Sequence, residues 1–199
     1  WHIVWRTLGL LVMGLFMVNG EGGYNEEAMG MSIRLWLLLF YVCAILIWKV
    51  YGCQKRIWVY LLRATGVAGL CILAAVYRGG AEGTATLTPR WWGILGLIGW
   101  AYLFACIFFQ LFRKNIVMML VMICFCIAFY IVGKNPVIIE KEWLRWMASQ
   151  AGNAAHTSIV LCGMVLSLIY FDESSIKAPG RRVAAAGIFT VLLFAAGYI

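Results

Sequence analysis

Charged residues are scarce in this chain, and its long apolar stretches contain no acidic residue at all. Only 12% of the 199 residues are Asp, Glu, Lys or Arg, whereas 64% are hydrophobic. A water-soluble globule of this size needs many more polar side chains to cover its surface. The composition therefore excludes a soluble protein, and the missing intramembrane carboxylates argue against a proton-coupled pump.

Several patterns that carry chemistry are also missing. The sequence has no glycine-rich nucleotide loop, no zinc-binding helix and no nucleophile elbow. Most of the seven cysteines lie within apolar stretches, where thiols behave as small hydrophobic groups. Cys124 and Cys126 fall on different faces of a helix, which makes them a poor metal pair. We therefore expect neither a disulfide framework nor a metal site.

Seven apolar stretches are long enough, or nearly long enough, to cross a hydrocarbon layer of about 30 Å. The stretches are continuous rather than alternating, which predicts helices and not the strands of a barrel. We predict an all-α fold, a polytopic transmembrane helix bundle with about seven helices in this chain. The predicted spans are residues 4–19, 33–51, 57–77, 91–112, 115–133, 154–171 and 183–199.

The basic residues orient these spans. With the N-terminus in the cytoplasm, ten of the 16 Lys and Arg residues lie on the inner side, as the positive-inside tendency predicts. The net charge of +8 then faces anionic inner-leaflet lipids and requires no nucleic acid. We expect an integral protein of a bacterial inner membrane with this N-terminus cytoplasmic, and the reverse orientation is the less favoured alternative. The inner set is Arg6, Lys49, Lys55, Arg56, Arg63, Arg113, Lys114, Lys177, Arg181 and Arg182.

No linker divides the chain. We therefore expect residues 1–199 to form a single integral-membrane domain, and we expect that domain to be a fragment of a longer multi-span protein. A long outer connection, residues 134–153, has an amphipathic pattern that includes Trp143. It predicts a short helix in the outer interface, anchored by tryptophan, with a lid over an outward-facing cavity as the alternative.

His156 is the leading candidate for chemistry. We predict that Asn153 caps the sixth span, which places His156 at the third helical position, at the outer mouth of the span. A neutral imidazole at that place accepts a proton and suits general-base catalysis. His156 and Asn153 are therefore the predicted catalytic residues. The alternative is a hydrogen-bonding histidine near the interface that takes no part in catalysis.

Three residues at the outer side are predicted to bind substrate. Asn19 ends the first span, and Arg90 with Trp91 stands at the start of the fourth. Aromatic faces stack on sugars and polar groups hold hydroxyls, which fits a glycan. The structural alternatives are an ordinary helix stop for Asn19 and an interface anchor for Trp91.

A small-residue stripe opens the fourth span, where Gly93, Gly96 and Gly99 recur every three residues. In lipid such a stripe favours close packing of a neighbouring helix. The functional alternative is a passage for a thin ligand such as a pantetheine arm, which makes these glycines the predicted cofactor-binding residues.

Three segments carry a family resemblance: residues 5–19 (WRTLGLLVMGLFMVN), 90–103 (RWWGILGLIGWAYL) and 152–168 (GNAAHTSIVLCGMVLSL). In this order and spacing they resemble the bacterial membrane relatives of heparan-alpha-glucosaminide N-acetyltransferase, in a branch known as a domain of unknown function. The resemblance implies a membrane-embedded acyltransferase with acetyl-CoA as co-substrate and no metal. It would move an acetyl group from cytoplasmic acetyl-CoA to an amino sugar or glycan on the outer face.

The resemblance passes no catalytic role to a residue of this chain. The family's catalytic histidine lies in an outer loop between the first two helices, which would precede Trp1. Where many relatives carry a Gln-Arg pair, this chain has Gly96 and Leu97. The expected partners are the lipid bilayer and a glycan or amino-sugar acceptor, and a homo-oligomer is left open. The alternative functions are a transporter or lipid-handling membrane protein without covalent chemistry, and a purely structural membrane subunit.

Overall fold

A computed structural model describes residues 1–52, 55–89, 92–112, 115–171 and 178–197 of the chain. These residues are almost entirely α-helical, and the only extended pairing among them consists of isolated bridges, so the all-α prediction is confirmed. Contacts group the chain into two compact units, Trp1–Gly99 (unit 1) and Trp100–Ile199 (unit 2). The prediction of a single domain stays a prediction, and each unit is described by itself below.

The helices follow the predicted spans, except that α8 begins nine residues earlier than predicted. Each of the seven predicted stretches overlaps one long helix, and two short helices lie in the connections. The described helices are α1 (His2–Glu21), α2 (Glu26–Met29), α3 (Ile33–Trp48), α4 (Arg56–Val76), α5 (Gly93–Leu111), α6 (Ile116–Gly133), α7 (Pro136–Glu140), α8 (Arg145–Tyr170) and α9 (Pro179–Ala196).

In the part of the chain that the structure describes, five helical segments are long and apolar enough to cross a membrane: α1, α4, α5, α6 and Glu142–Tyr170, which contains α8. Helix α3 is a shorter apolar helix. Large apolar side chains are exposed along these helices, as at Ile45 (60%), Ile72 (61%) and Ile159 (67%). Side chains of this kind are stable against lipid and unfavourable in water. The chain is therefore an integral membrane protein.

Unit 1 is built around stacked aromatic rings from α1, α3 and the end of α4. Trp36 and Phe40 are fully buried, and Phe16 stacks on Phe40 with ring centroids 4.9 Å apart. Tyr77 closes the cluster, with its ring 5.5 Å from that of Trp36. Offset and tilted ring pairs add to the burial energy, so this cluster fixes how α1, α3 and α4 meet.

The two connections of unit 1 that were predicted to be outer lie together. An antiparallel bridge joins Tyr24 to Gly79, and the Gly80 amide donates to the Gly23 carbonyl at 2.7 Å. The side-chain amide of Asn25 donates to the Gly80 carbonyl at 3.0 Å. The loops after α1 and after α4 therefore share one end of the unit, as helices that alternate across a membrane require.

Glu26 has a structural partner in unit 1. Its Oε1 accepts the main-chain N–H of Ile33 at 2.9 Å. Ile33 is the first residue of α3, whose amides lack partners within the helix. A carboxylate is the acceptor that this positive helix end favours, so Glu26 helps to start α3.

Unit 2 consists mainly of α6 packed along α8, with α9 and the second half of α5 against them. Met119, Leu161 and Val165 are fully buried in its core. Gly133 ends α6 at a close approach to α8. A Cβ atom added there would lie 2.9 Å from Ala151 Cβ and 3.1 Å from the Met147 carbonyl oxygen.

The start of α8 corrects the sequence analysis. We expected Asn153 to cap a helix and a separate interface helix to precede it, but α8 runs without a break from Arg145 to Tyr170. Residues 145–153 contain no proline and several good helix formers, and Gly133 allows α6 to pack against their turns. Packing therefore continues the helix past the polar residues that suggested a boundary. The segment before it forms α7 and a 3-10 turn, Glu142–Leu144.

Candidate functional site

The candidate site is the polar part of α8, which lies inside a segment long enough to cross the membrane. Each of its hydroxyl groups donates to the helix's own backbone: Thr157 to the Asn153 carbonyl at 2.7 Å and Ser158 to the Ala155 carbonyl at 2.7 Å. Back-bonding of this kind lets Ser and Thr sit in hydrocarbon without an unpaired donor. These two hydroxyls therefore have a structural role. The histidine and amide groups beside them are the candidates for catalysis or ligand binding.

His156 is the twelfth residue of α8 rather than the third, which changes the argument for its protonation state. The expectation rested on the positive end of the helix dipole, and that effect is confined to the first turn. The tautomer is set instead by a hydrogen bond, since Nδ1 lies 2.8 Å from the Gly152 carbonyl oxygen. A carbonyl only accepts, so Nδ1 carries the proton and Nε2 presents a lone pair when the ring is neutral.

The helix face that bears His156 is open at its two glycines. A Cβ atom added to Gly152 or to Gly163 would meet no described atom within 4 Å. Below the histidine this face continues through Val160, Gly163 and Ser167, which recur at helical spacing. They form one wall of a recess of about 630 Å³, whose other wall includes Tyr102 and Phe109 of α5. Sequence reasoning missed this recess because its second wall comes from another helix.

Asn153 lies on a neighbouring face of α8 and lines a different recess, of about 240 Å³. Gln150 and Thr157 line the same recess, and the three recur at helical spacing. The pattern was present in the sequence, but the predicted helix began at residue 154 and excluded two of these three residues. Asn153 and His156 are thus both on α8, and only Asn153 contacts the smaller recess.

Asn19 has partners for its whole side-chain amide. Its Nδ2 donates to the carbonyls of Leu15 at 2.8 Å and Thr88 at 2.7 Å, and its Oδ1 accepts the Thr88 N–H at 3.2 Å. Its own carbonyl accepts the Tyr77 hydroxyl at 3.0 Å. Asn19 has 1% of its surface exposed and holds the segment around Thr88 against the end of α1. The substrate-binding role predicted for it stays a prediction.

The glycine stripe of α5 contacts α1. A Cβ atom added to Gly99 would lie 3.0 Å from Leu10 Cβ, and one added to Gly93 would lie 3.4 Å from Val18 Cβ. Opposite the stripe, a Cβ atom on Gly14 would collide with the backbone at Gly96, 2.6 Å from its nitrogen. This is the close helix packing that the sequence favoured, and the cofactor-binding role of Gly93, Gly96 and Gly99 stays a prediction.

Two predicted site residues, Arg90 and Trp91, lie outside the described residues. The predicted gathering of Asn19 with His156 joins residues of different units, and it also stays a prediction. Within unit 2, the structure brings His156 and Asn153 together on one helix and gives each its own surroundings.

Comparison with known proteins adds no relative to this description. No protein-family model, curated protein or solved structure matches the chain.

Proposed function

We propose that the chain belongs to a membrane-embedded acyltransferase that moves an acetyl group from cytoplasmic acetyl-CoA to an amino sugar or glycan on the outer face. The proposal starts from the resemblance carried by residues 5–19, 90–103 and 152–168. The observation that supports it most strongly is the open face of α8, where His156 stands above the recess walled by Gly163 and Ser167.

The recess is suited to the narrow, mostly apolar arm of an acyl-CoA. It has about 630 Å³ of space, within the range of about 300–1000 Å³ that is usual for ligand pockets. Gly163 leaves its middle open, and Gly163 lies seven residues, or about 10 Å, along α8 from His156. A thioester that follows this face from the predicted inner end, near Phe171, would reach the imidazole.

The imidazole would act as a general base. Nε2 of His156 takes the proton from the acceptor's amino or hydroxyl group as that group attacks the acetyl carbonyl carbon. The carbon–sulfur bond of the thioester then breaks, and the CoA thiolate leaves with the proton that His156 Nε2 had taken up. The rate gain comes from holding acceptor and thioester together and from the proton transfer, which contributes about 10²–10⁴-fold.

Reconstituted full-length protein tests the activity. Liposomes that contain the protein should transfer labelled acetyl groups from acetyl-CoA on one side to glucosamine on the other. His156→Asn is the informative variant, because an asparagine amide can replace the Nδ1–H bond to Gly152 but cannot take up a proton. We expect kcat to fall about 100-fold or more, with KM and thermal stability near those of the wild type. A fully active His156→Asn protein would remove this role from His156, and folded wild-type protein without transfer to any amino sugar would refute the acyltransferase.

Filling the recess tests the acyl-CoA path separately. Gly163→Leu places a side chain in the recess and should raise KM for acetyl-CoA about tenfold or more. Gly187→Leu is the matched control, since a Cβ atom at Gly187 of α9 meets no described atom within 4 Å. An unchanged KM in Gly163→Leu would place the CoA arm elsewhere.

A transporter or lipid-handling protein without covalent chemistry is the second candidate. It is favoured by the smaller recess of unit 2, whose lining includes four phenylalanines. The two candidates make different predictions for the sequence upstream of Trp1. A histidine- and asparagine-bearing outer loop upstream of Trp1 would favour the enzyme, and its absence would favour transport.

A further inference from the structure

The smaller recess of unit 2 combines an aromatic wall with one polar edge. Its polar edge comes from α8, and its apolar wall comes from α5 and α6. The lining residues are Phe104, Phe108, Phe125, Cys126, Phe129, Gln150, Asn153, Ala154 and Thr157. Such a recess suits a ligand that is apolar along most of its length and polar at one point.

A directed row of hydrogen bonds determines which polar atoms at the start of α8 are already paired. The Trp146 carbonyl can only accept, so the Ser149 hydroxyl donates to it at 2.6 Å. Ser149 Oγ therefore accepts from Gln150 Nε2, at 3.4 Å, and Gln150 Oε1 accepts from Asn153 Nδ2, at 2.7 Å. Each bond fixes the orientation of the next amide, and the row leaves Asn153 Oδ1 as a free acceptor at its end.

Asn153 Oδ1 is buried and has no hydrogen-bond partner among the described residues. Thr157 cannot provide one, because its hydroxyl proton is already donated to the main-chain oxygen of Asn153. A buried acceptor without a donor is unfavourable, because neither water nor the surrounding lipid chains donate a hydrogen bond to it. A donor group on a bound ligand would satisfy this oxygen.

The depth of Asn153 points to the kind of ligand. Gly133 ends α6 beside Ala151, so Asn153 lies about 3 Å further along α8 than the end of α6. Lys134 follows directly, which puts this level where headgroups meet hydrocarbon. Hydroxyl and amide groups of lipids lie at that level, with their chains pointing inward. The recess, at about 240 Å³, is smaller than a pocket for a whole drug-sized molecule and takes one part of a larger one.

We propose that this recess binds a membrane lipid that carries an amide N–H or a hydroxyl next to its chains, with that donor hydrogen-bonded to Asn153 Oδ1 and the chain against Phe125 and Phe129. This site is separate from the acyl-CoA recess below His156, and the proposal does not depend on acetyl transfer.

A matched pair of photoreactive probes tests the donor. A dodecyl amide and the isosteric dodecyl ester, each with a diazirine on the chain, differ only in the N–H group. In lipid nanodiscs the wild-type chain should be half-labelled by the amide at about tenfold lower concentration than by the ester. The label should fall on the α6 and α8 peptides that contain Phe125, Phe129 and Asn153. Equal labelling by the two probes, or label on other peptides, would overturn the proposal.

Variants assign the preference to Asn153. Asn153→Leu keeps the volume and removes the acceptor, so the amide-to-ester preference should fall to about one. Gln110→Leu removes an exposed amide that does not line the recess, and it should keep the tenfold preference. If Asn153→Leu does not fold, Asn153→Ala, whose smaller side chain also has no acceptor, replaces it. A preference that survives the loss of the amide at position 153 would refute the site.

Competition tests the assignment to a lipid. An N-acyl sphingosine should displace the amide probe, because it has both the donor and the chains. Pantetheine, which has amide groups but no membrane anchor, should not displace it. Displacement by pantetheine alone would overturn the assignment to a lipid.

Discussion

Asparagine side chains in this protein have opposite uses at two places. Both polar atoms of the Asn19 side-chain amide are hydrogen-bonded to backbone groups. Two of these three hydrogen bonds join Asn19 to Thr88, which is 69 residues away in the sequence. The side-chain N–H group of Asn153 donates to Gln150, and its buried Oδ1 has no hydrogen-bond partner among the described residues. The same residue type therefore stabilises the fold of unit 1 and, in our proposal, binds a ligand in unit 2.

Replacing these two asparagines with alanine should have unequal effects. Asn19→Ala breaks three hydrogen bonds at a fully buried side chain, so we expect the free energy of unfolding to fall by about 2–3 kcal/mol. Asn153→Ala is the matched control and should cost about 1 kcal/mol or less. Thermal unfolding in detergent measures both, and a larger loss for Asn153→Ala would contradict these roles.

Tyr24 is expected to make unit 1 sensitive to alkaline pH. Burial raises the pKa of Tyr24 above its usual value, and the nearby charge of Glu26 and the Tyr77 phenol raise it further. Its neutral hydroxyl donates to the Met31 carbonyl at 3.0 Å, a bond that the phenolate cannot make. The folded state therefore holds this proton more tightly than the unfolded state does.

The sign of the effect follows from that difference in pKa. The contribution of Tyr24 is fully present below about pH 10, the ordinary tyrosine value, and is lost as pH rises from there through the higher folded-state pKa. Tyr24→Phe should be less stable at neutral pH and should lose less stability between pH 9 and about pH 11 than the wild type. Thermal unfolding across that range measures the difference, and parallel curves for the two proteins would contradict the prediction.

At the scale of elements, helices approach closely where glycine removes the side chain. Gly14 of α1 lies against the first turn of α5, where an added Cβ atom would collide with the main-chain oxygen of Trp92 and the nitrogen of Gly96. Backbone atoms cannot rotate away as a side chain can, so this contact tolerates no methyl group. In lipid, such close contact supplies much of the attraction between helices.

Substitution of Gly14 tests that packing. Gly14→Ala should destabilise unit 1 by about 1–3 kcal/mol, because α1 and the start of α5 must separate. Gly187→Ala in α9 meets open space and should be neutral or stabilising by up to about 1 kcal/mol, since alanine favours helix more than glycine does. Unfolding in detergent compares the two, and equal effects would show that the close contact is not required.

At the scale of the whole molecule, the charge distribution predicts which loops face the cytoplasm. The loops after α1 and after α4 share one end of unit 1, since Asn25 donates to the Ala81 carbonyl at 3.2 Å. The positive-inside count places this end outside and Lys55 inside. The orientation is decided when the protein is inserted into the membrane, and it stays a prediction.

Cysteine labelling tests the orientation. In a chain whose native cysteines are replaced, Ala81→Cys should react with a membrane-impermeant maleimide in intact cells. Lys55→Cys should react only after the membrane is permeabilised. Both positions are solvent-exposed in the structure, so access is controlled by the membrane alone. Glu27→Cys should behave as Ala81→Cys does, and the reverse pattern would invert the topology.

The sequence by itself determined that the chain forms helices and that these helices are surrounded by lipid rather than water. Hydropathy depends on composition along a continuous stretch, so all seven predicted spans, from 4–19 to 183–199, overlap helices of the structure. Local sequence also favoured the packing use of Gly93, Gly96 and Gly99, since the spacing within one helix shows a small-residue face without knowledge of its neighbour.

Only the tertiary structure decided where α8 begins and which polar groups remain available. The polar residues around Asn153 suggested a helix end, but contact with Gly133 of α6 continues the helix past them. The partner of Asn19 lies far away in the sequence, and the walls of the two recesses come from separate helices. A hydrogen bond or a cavity depends on groups that are close in space but far apart in the sequence. The pattern within a single stretch of sequence does not show which distant groups come together.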